Sequence, residues 1–287
     1  MKSCKRVVVL TLAGLAVCAL LAAGLLVYIG WYDVSATRPH TKLVHRLLDI
    51  GLARSVAVRA EQIREPDLNG EARIQNGFEL FRTHCVQCHG APGVAPAPYA
   101  LGLNPVPASL VASARERPAT EIFWIIREGI KMTGMPAWKY RLTDTQMWDV
   151  VAFMRILPAL SPVDYRQWDE KSTNGLPRSA SSASAPTSTS RIGDATAGRQ
   201  AVEQYLCATC HVIPDVAGAS HHVGPSLAGI ATRPFIAGVL SNNPDNMRLW
   251  LMAPTTIKPG TAMPDLSISD QDARDIAAFL TTLSEPQ

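Results

Sequence analysis

The sequence predicts an all-α protein in which one membrane-spanning helix precedes two similar domains in tandem. Three observations support this prediction. Apolar residues recur at helical spacing, and no alternating strand pattern of any length occurs. A set of short sequence patterns appears twice, a little over a hundred residues apart. An apolar run of 24 residues without a charge lies near the N-terminus.

The apolar run covers residues 7–30 and follows Lys2, Lys5 and Arg6. As a helix it would reach about 36 Å, which is enough to cross a hydrocarbon core. It is longer than the apolar part of a secretory signal, roughly 7–15 residues, and no small-residue cleavage site follows it. We therefore predict a retained anchor at residues 1–32, with a cleaved signal as the alternative. Because the basic flank stays inside, the expected location is a bacterial inner membrane with the domains on the periplasmic side.

The charge balance of the exported part excludes one class of partner. The three basic residues before the apolar run account for the whole formal net charge of +3. The rest of the chain is neutral and has no basic stripe of the kind that binds phosphate backbones. We therefore expect no DNA or RNA partner.

Composition divides the exported part into four segments. Residues 161–191 end in a tract rich in Ser, Ala, Pro and Thr, which predicts a flexible linker because such a tract cannot bury a core. The linker separates domains at residues 67–160 and 192–287. Residues 33–66 predict an amphipathic helix that lies on the bilayer, packs against an integral membrane subunit, or covers the first domain. Its apolar residues are Leu43, Val44, Leu47, Leu48 and Leu52.

Two thiols and an imidazole recur at one spacing in both domains. They are Cys85, Cys88 and His89 in the first and Cys207, Cys210 and His211 in the second. A helical turn would place these three positions on one face. C-x-x-C-H is the attachment signature of c-type haem, in which two thioethers hold the porphyrin and the imidazole ligates the iron. A zinc site would need a fourth ligand, but neither domain has another cysteine or completes an H-x-x-x-H pattern, and a thioredoxin-like disulfide would need a βαβ context.

Helices are predicted at both ends of each domain. In the first domain, Thr143 and Gln146, three residues apart, predict a capping box at the start of the last helix. In the second, Asp194 and Ser269 are candidate N-caps, and the final helix is expected to run through Leu283.

Two further patterns repeat in the same order after the cysteines. T-x-M-P contains Met135 and Met263, which follow the motif histidines by 46 and 52 residues. D-x-x-A-F begins at Asp149 and Asp275, which follow those methionines by 14 and 12 residues.

With these patterns, each domain resembles a class I cytochrome c domain: an N-terminal helix, C-x-x-C-H, a loop-rich middle, a methionine loop and a C-terminal helix. The resemblance runs from about Asn69 to Leu283 apart from the linker. It implies terminal helices that cross and two covalently bound haem c groups. It also implies that His89 and His211 ligate the irons from one side and a methionine ligates each from the other.

The choice of methionine follows from the repeat. Met135 lies in the T-x-M-P pattern shared with Met263, whereas nearby Met132 does not and is the alternative. A residue before proline is held in an extended conformation, which suits a ligand on a loop. We therefore expect Met135 and Met263 as ligands, and Met247 and Met252 as packing residues.

Other candidate residues lie beside the predicted ligands. His221 and His222 follow His211 closely and are either alternative ligands or loop residues. A ligating histidine usually donates its second N–H to a carbonyl or carboxylate. By the family pattern we expect Pro225 to accept from His211, and Pro105 or Pro107 to accept from His89.

A haem with His and Met ligands has no open position and cycles one electron. The resemblance therefore implies an electron carrier, not an enzyme: a membrane-anchored dihaem cytochrome passing single electrons from respiratory donors to an acceptor. The second domain, with GPSLAGIATR and IKPGTAMPDL, resembles haem domains fused to the copper-bearing subunit of some terminal oxidases. A terminal oxidase or a membrane dehydrogenase is the expected redox partner. The alternative is a dihaem peroxidase or small-substrate dehydrogenase, which would need a replaceable ligand.

Overall fold

The structure is a computed structural model that describes residues 2–172 and 192–284. The chain divides into two compact units, residues 1–38 and residues 39–287. The first unit consists mainly of helix α1, Lys2–Tyr28. From Lys5 to Tyr28 this helix is long and apolar enough to cross a membrane, and its large apolar side chains are exposed. These properties match those of the predicted anchor.

The second unit is almost entirely helical within the described residues. Its helices are α2 Lys42–Ala60, α3 Glu71–His84, α4 Val86–His89, α5 Leu110–Glu116, α6 Ala119–Glu128, α7 Asp144–Ile156, α8 Pro162–Lys171, α9 Ala195–Gln204, α10 Pro244–Met252, α11 Pro254–Ile257 and α12 Asp270–Leu280. Two short strands, β1 Phe235–Ile236 and β2 Leu240–Ser241, pair in antiparallel register, with Phe235 opposite Ser241. The fold confirms the predicted all-α class.

The first and last helices of each domain cross at a glycine. Helices α3 and α7 meet where Gly77 faces the carbonyl of Asp149, and α9 and α12 meet where Gly198 faces the carbonyl of Asp275. A Cβ at either glycine would overlap that carbonyl group. The absence of a side chain therefore allows the close crossing that the resemblance implies.

The aspartate of each D-x-x-A-F pattern ties the last helix to the start of its domain. Asp149 is 6% exposed and lies 3.0 Å from the Arg73 guanidinium on α3. Asp275 is 2% exposed and accepts a hydrogen bond of 2.8 Å from the backbone N–H of Asp194. Buried carboxylates persist where such partners satisfy them, so the repeated aspartate has a structural role in both domains.

The predicted helix caps are confirmed. Thr143 and Gln146 form a reciprocal capping box, and the side chains of Asp194 and Ser269 each accept backbone N–H groups at the starts of α9 and α12. The prediction that the final helix runs through Leu283 is wrong, because α12 ends at Leu280 and the chain continues as a turn.

The start of the predicted linker is a packed helix, so the expectation that residues 161–191 are flexible throughout is wrong. Ser161 caps α8 with Asp164 in a capping box. Tyr165 is 2% exposed. The ring centroids of Trp168 and Phe78 lie 5.4 Å apart, in edge-to-face contact. These aromatic side chains give the segment an apolar face, which it buries on the first domain. Residues 173–191 lie outside the described residues.

Helix α2, which we call the strap helix, contacts both domains. Towards its C-terminus Val56 and Ala60 are buried at 0% and 2% exposure, and the helix packs against α6. Towards its N-terminus Lys42 lies 2.6 Å from Asp215, and the His45 ring lies against Gly218. Of the three alternatives for this segment, its C-terminal end adopts the cover of the first domain, whereas Leu43, Leu47 and Leu48 of the predicted apolar face are exposed. Its contact with the second domain was not predicted.

Replacing Val56 by alanine is expected to destabilise the second unit by about 1.5–2 kcal/mol, since two buried methyl groups are lost. Val58, on the same helix, is 56% exposed, and its replacement by alanine is expected to change stability by less than about 0.5 kcal/mol. Urea unfolding followed by far-ultraviolet circular dichroism measures both. Equal effects of the two changes would contradict the packing of the strap helix.

Candidate haem sites

Each C-x-x-C-H motif forms one turn with the same hydrogen bonds. The N–H of His89 donates to the Cys85 carbonyl, and that of His211 donates to the Cys207 carbonyl, both at 3.0 Å. The first motif leads into the α4 turn, whereas the second begins as a 3₁₀ turn, Cys207–Thr209, after Leu206 at φ +60°. The motif residues are thus brought together in both domains, although the second turn is tighter than the expected α-helix.

Both motif histidines are oriented by a backbone carbonyl. The Nδ1–H of His211 donates to the Pro225 carbonyl, and that of His89 donates to the Ala108 carbonyl, each at 2.7 Å. The prediction for Pro225 is confirmed. The prediction of Pro105 or Pro107 is wrong, because the chain brings the next carbonyl, that of Ala108, to the ring.

This orientation leaves the second ring nitrogen available. A carbonyl only accepts, so Nδ1 carries the proton and Nε2 keeps its lone pair for a metal. Burial lowers the pKa of His89 and of His211, which favours the neutral ring, although the hydrogen bond to the carbonyl opposes this shift. The two imidazoles therefore have the tautomer that an iron ligand requires.

The surroundings of the first thiol in each motif favour its neutral form. Burial raises the pKa of Cys85 and of Cys207 to about 12, with the neighbouring cysteine of each motif acting in the same direction. In residues 2–172 and 192–284 no group of three or more His, Cys, Asp or Glu side chains is arranged to hold a metal ion. The zinc alternative thus gains no support from the described residues.

The methionine loops share a local structure that the repeat encodes. The backbone N–H of Met135 donates to the Thr133 hydroxyl at 3.0 Å, and that of Met263 donates to the Thr261 hydroxyl at 3.3 Å. Such a turn fixes the backbone ahead of the following proline. Met135 packs against the core that Cys85 borders, and Met263 packs against the core that Cys207 borders.

The other candidate ligands lie in different surroundings. Met132 is 91% exposed and has a backbone φ of +61°. His221 lies 3.6 Å from a carboxylate oxygen of Glu116, and His222 is exposed. Met247 is buried in the second core and Met252 packs against it, which confirms both as packing residues.

The residues present therefore fit a haem in each domain. Two thiols and an imidazole lie on one turn, the imidazole has a free lone pair, and a methionine borders the same core as the first thiol. A haem with histidine and methionine ligands supplies one-electron chemistry without an open coordination position. The chain supplies the attachment, the ligand orientation and the apolar surroundings.

Gly224 leaves room for the His211 ring. A Cβ at this position would lie 2.8 Å from Nδ1 and 3.0 Å from Nε2 of that ring. We expect Gly224→Ala to displace the imidazole and to lower the share of six-coordinate iron in the second domain, as seen in the visible spectrum of the reduced protein. Gly134→Ala is the control, because its Cβ would meet only Leu103 at 3.7 Å and because Ala262 occupies the matching position. A normal spectrum for Gly224→Ala would contradict this geometry.

Comparison with known families identifies both domains. Residues 72–154 match the family model "Cytochrome C oxidase, cbb3-type, subunit III", and residues 195–284 match the family model "Cytochrome c". The two matches cover the two C-x-x-C-H motifs and both methionine loops. No solved structure matches the chain significantly.

Curated relatives include the protein described as cytochrome c oxidase subunit 2. That of Alkalihalophilus pseudofirmus is 34% identical over 90 residues, which are 31% of this chain and 25% of the relative. That of Bacillus subtilis is 33% identical over 92 residues, 30% of this chain and 26% of the relative. The chain therefore spans about a quarter of the length of these relatives. With two cytochrome c domains in tandem and hence two covalently bound haem c groups, the chain belongs to the dihaem class I cytochrome c family.

Proposed function

We propose that this electron-transfer cytochrome is anchored in a bacterial inner membrane and passes single electrons from a respiratory donor to a terminal oxidase on the periplasmic side. In this proposal Cys85, Cys88 and His89 hold the first haem and Met135 completes it. Cys207, Cys210, His211 and Met263 do the same for the second haem.

The oxidase is proposed as acceptor because of the relatives. One domain matches a model described as a subunit of a cbb3-type oxidase, and part of the chain is similar to cytochrome c oxidase subunit 2. The apolar helix α1 supports the membrane location, since an acceptor in the same bilayer would be reached by lateral diffusion.

The carrier role rests on one structural observation. In both domains the histidine is fixed by a carbonyl, and a methionine is held in a Thr-stabilised turn beside the same core. Fixed ligands on both sides hold the coordination unchanged as the electron arrives and leaves, and they exclude water and small ligands. The surrounding apolar side chains favour the less charged, reduced state of a buried centre.

The test uses the full-length holoprotein in detergent with a purified terminal oxidase. We expect the reduced cytochrome to be reoxidised by the oxidase under air, and to be stable for far longer without it. Failure of every terminal oxidase from the source membrane to reoxidise it would overturn the choice of acceptor.

The same preparation separates the carrier from the enzyme alternative. Prompt carbon monoxide binding by the reduced protein, together with peroxide turnover, would indicate a replaceable ligand and would favour a dihaem enzyme. We expect neither.

A further inference from the structure

The strap helix has an apolar stripe that its contacts with the two domains do not cover. Leu43, Leu47, Ile50 and Val58 are each more than half exposed. They follow one another at intervals of four, three and eight residues, so they lie on one side of the helix. We call these four residues the outer stripe.

The two domains hold the other side of the same helix. Val56 and Ala60 are buried, the helix packs against α6, and Lys42 pairs with Asp215 at the N-terminal end. A helix that is fixed on one side cannot turn its other side inward. Single exposed leucines are common on protein surfaces, whereas a row of them along one helix indicates an interaction surface.

Basic side chains accompany the outer stripe. The strap helix carries one acidic residue, Asp49, and four basic residues, Lys42, Arg46, Arg54 and Arg59. Arg46 and Arg54 are exposed, and neither has an ion-pair partner among residues 2–172 and 192–284. An exposed apolar stripe beside such basic side chains is typical of a helix that lies on an anionic lipid surface.

The position of Arg54 distinguishes between the possible occupants of the stripe. It follows Leu47 by seven residues and Ile50 by four, and therefore lies within the outer stripe itself. A second copy of the helix, or an apolar transmembrane helix, would bury this guanidinium among apolar side chains without a partner, which is costly. On a bilayer the apolar stem of an arginine lies along the acyl region while its charged head reaches the phosphates. The outer stripe therefore fits a lipid surface better than another helix.

The chain before the strap helix comes from the apolar helix α1. Tyr28 and Trp31, at the end of α1, are exposed aromatic residues of the kind that lie at membrane interfaces. Residues 29–41 join α1 to the strap helix, and an extended chain of this length spans at most roughly 45 Å. The length of the chain alone therefore keeps the strap helix near the surface of the bilayer that α1 is proposed to cross.

We propose that the outer stripe docks on the phospholipid surface beside the anchor, with Arg46 and Arg54 at the headgroup phosphates. The strap helix then has protein on one side and lipid on the other. This docking holds the haem-binding unit at the membrane surface. The proposal rests on the membrane anchor proposed above and is independent of the electron acceptor.

The test uses the full-length holoprotein in vesicles of phosphatidylcholine and phosphatidylglycerol. Photo-reactive benzoylphenylalanine replaces Leu47, and mass spectrometry identifies what this side chain captures on irradiation. We expect an adduct with phospholipid. The matched control has the same replacement at Asp49, which is also exposed but lies two residues on and thus nearly opposite on the helix. We expect several-fold less lipid adduct from position 49.

Three results would overturn the proposal. One is equal lipid capture, or none, at both positions. Another is capture of a second copy of the chain at position 47. The third, with the same variant irradiated in native membranes, is capture of another polypeptide in place of lipid.

Arg54→Gln tests the contribution of charge. We expect it to lower lipid capture at position 47 by up to about five-fold, the factor that one basic residue contributes near an anionic surface. Lys131→Gln is the control, because Lys131 is also exposed but lies outside the strap helix, and we expect no change. An equal loss in the two variants would contradict the role of Arg54.

The anchor is measured separately in the same vesicles. An alkaline carbonate wash of an unirradiated sample releases protein that no transmembrane segment holds, so release would overturn the anchor. The lipid adduct decides the docking of the outer stripe. Failure of electron delivery to an oxidase would leave the adduct unchanged, so the proposals fail separately.

Discussion

Replacing Met135 by alanine is expected to open a coordination position on the iron of the first domain, so that this domain binds carbon monoxide. The imidazole of His89 stays fixed by the Ala108 carbonyl, while the opposite side loses its proposed ligand. We expect reduced Met135→Ala to bind about one carbon monoxide per molecule, since one of two irons is opened, and its midpoint potential to fall because methionine ligation raises it. The near-infrared band of ferric Met-ligated haem should lose about half its intensity, because one of two such centres remains.

Met132→Ala is the matched control. Met132 is three residues away but 91% exposed, so its removal is expected to leave carbon monoxide binding, potential and the near-infrared band unchanged. Met263→Ala should reproduce the effect of Met135→Ala in the second domain. Carbon monoxide binding by Met132→Ala instead of Met135→Ala would show that the ligand was assigned to the wrong methionine.

Replacing Gly198 or Gly77 by alanine is expected to unfold or strongly loosen the domain that contains it. The new Cβ would overlap the carbonyl of Asp275 or Asp149, which belongs to the backbone of a buried helix and cannot rotate away. Overpacking of this kind costs about 1–3 kcal/mol and occasionally more, and the upper end is expected here because the clash is with main chain. Urea unfolding monitored by circular dichroism and by haem absorbance measures the loss.

Gly51→Ala supplies the opposite expectation. Gly51 lies within the strap helix with no atom near the position of a Cβ. The same substitution should therefore stabilise the protein by roughly 0.5–1 kcal/mol, as expected for glycine within a helix. If all three glycine variants proved equally stable, the close helix crossings would be wrong.

The features that the sequence predicts well are those that side chains encode at short range. Thr143 and Gln146 predict a capping box because both partners lie within one turn. The C-x-x-C-H turns follow in the same way from the spacing of three side chains. The Thr of T-x-M-P could have been assigned its hydrogen bond from the repeat alone. Its hydroxyl lies two residues before the methionine in both domains.

The features that the sequence analysis missed depend on partners distant in the chain or on the backbone itself. Every residue has a backbone carbonyl, so the side-chain pattern does not show which carbonyl accepts from His89. The prediction of Pro105 or Pro107 was wrong for this reason. Composition averaged over residues 161–191 concealed Tyr165 and Trp168, whose apolar partner Phe78 lies far away in sequence.

The strap helix has a practical consequence for preparing a water-soluble form of this cytochrome. A truncated chain that starts after Ala60 would keep every proposed haem-binding residue. It would lack the strap helix, so the apolar surface of α6 that this helix covers would be exposed to solvent. Such a fragment is expected to aggregate and to be unstable in solution. A cut placed between the apolar helix α1 and Thr41, the N-cap of the strap helix, would remove α1 and keep this cover.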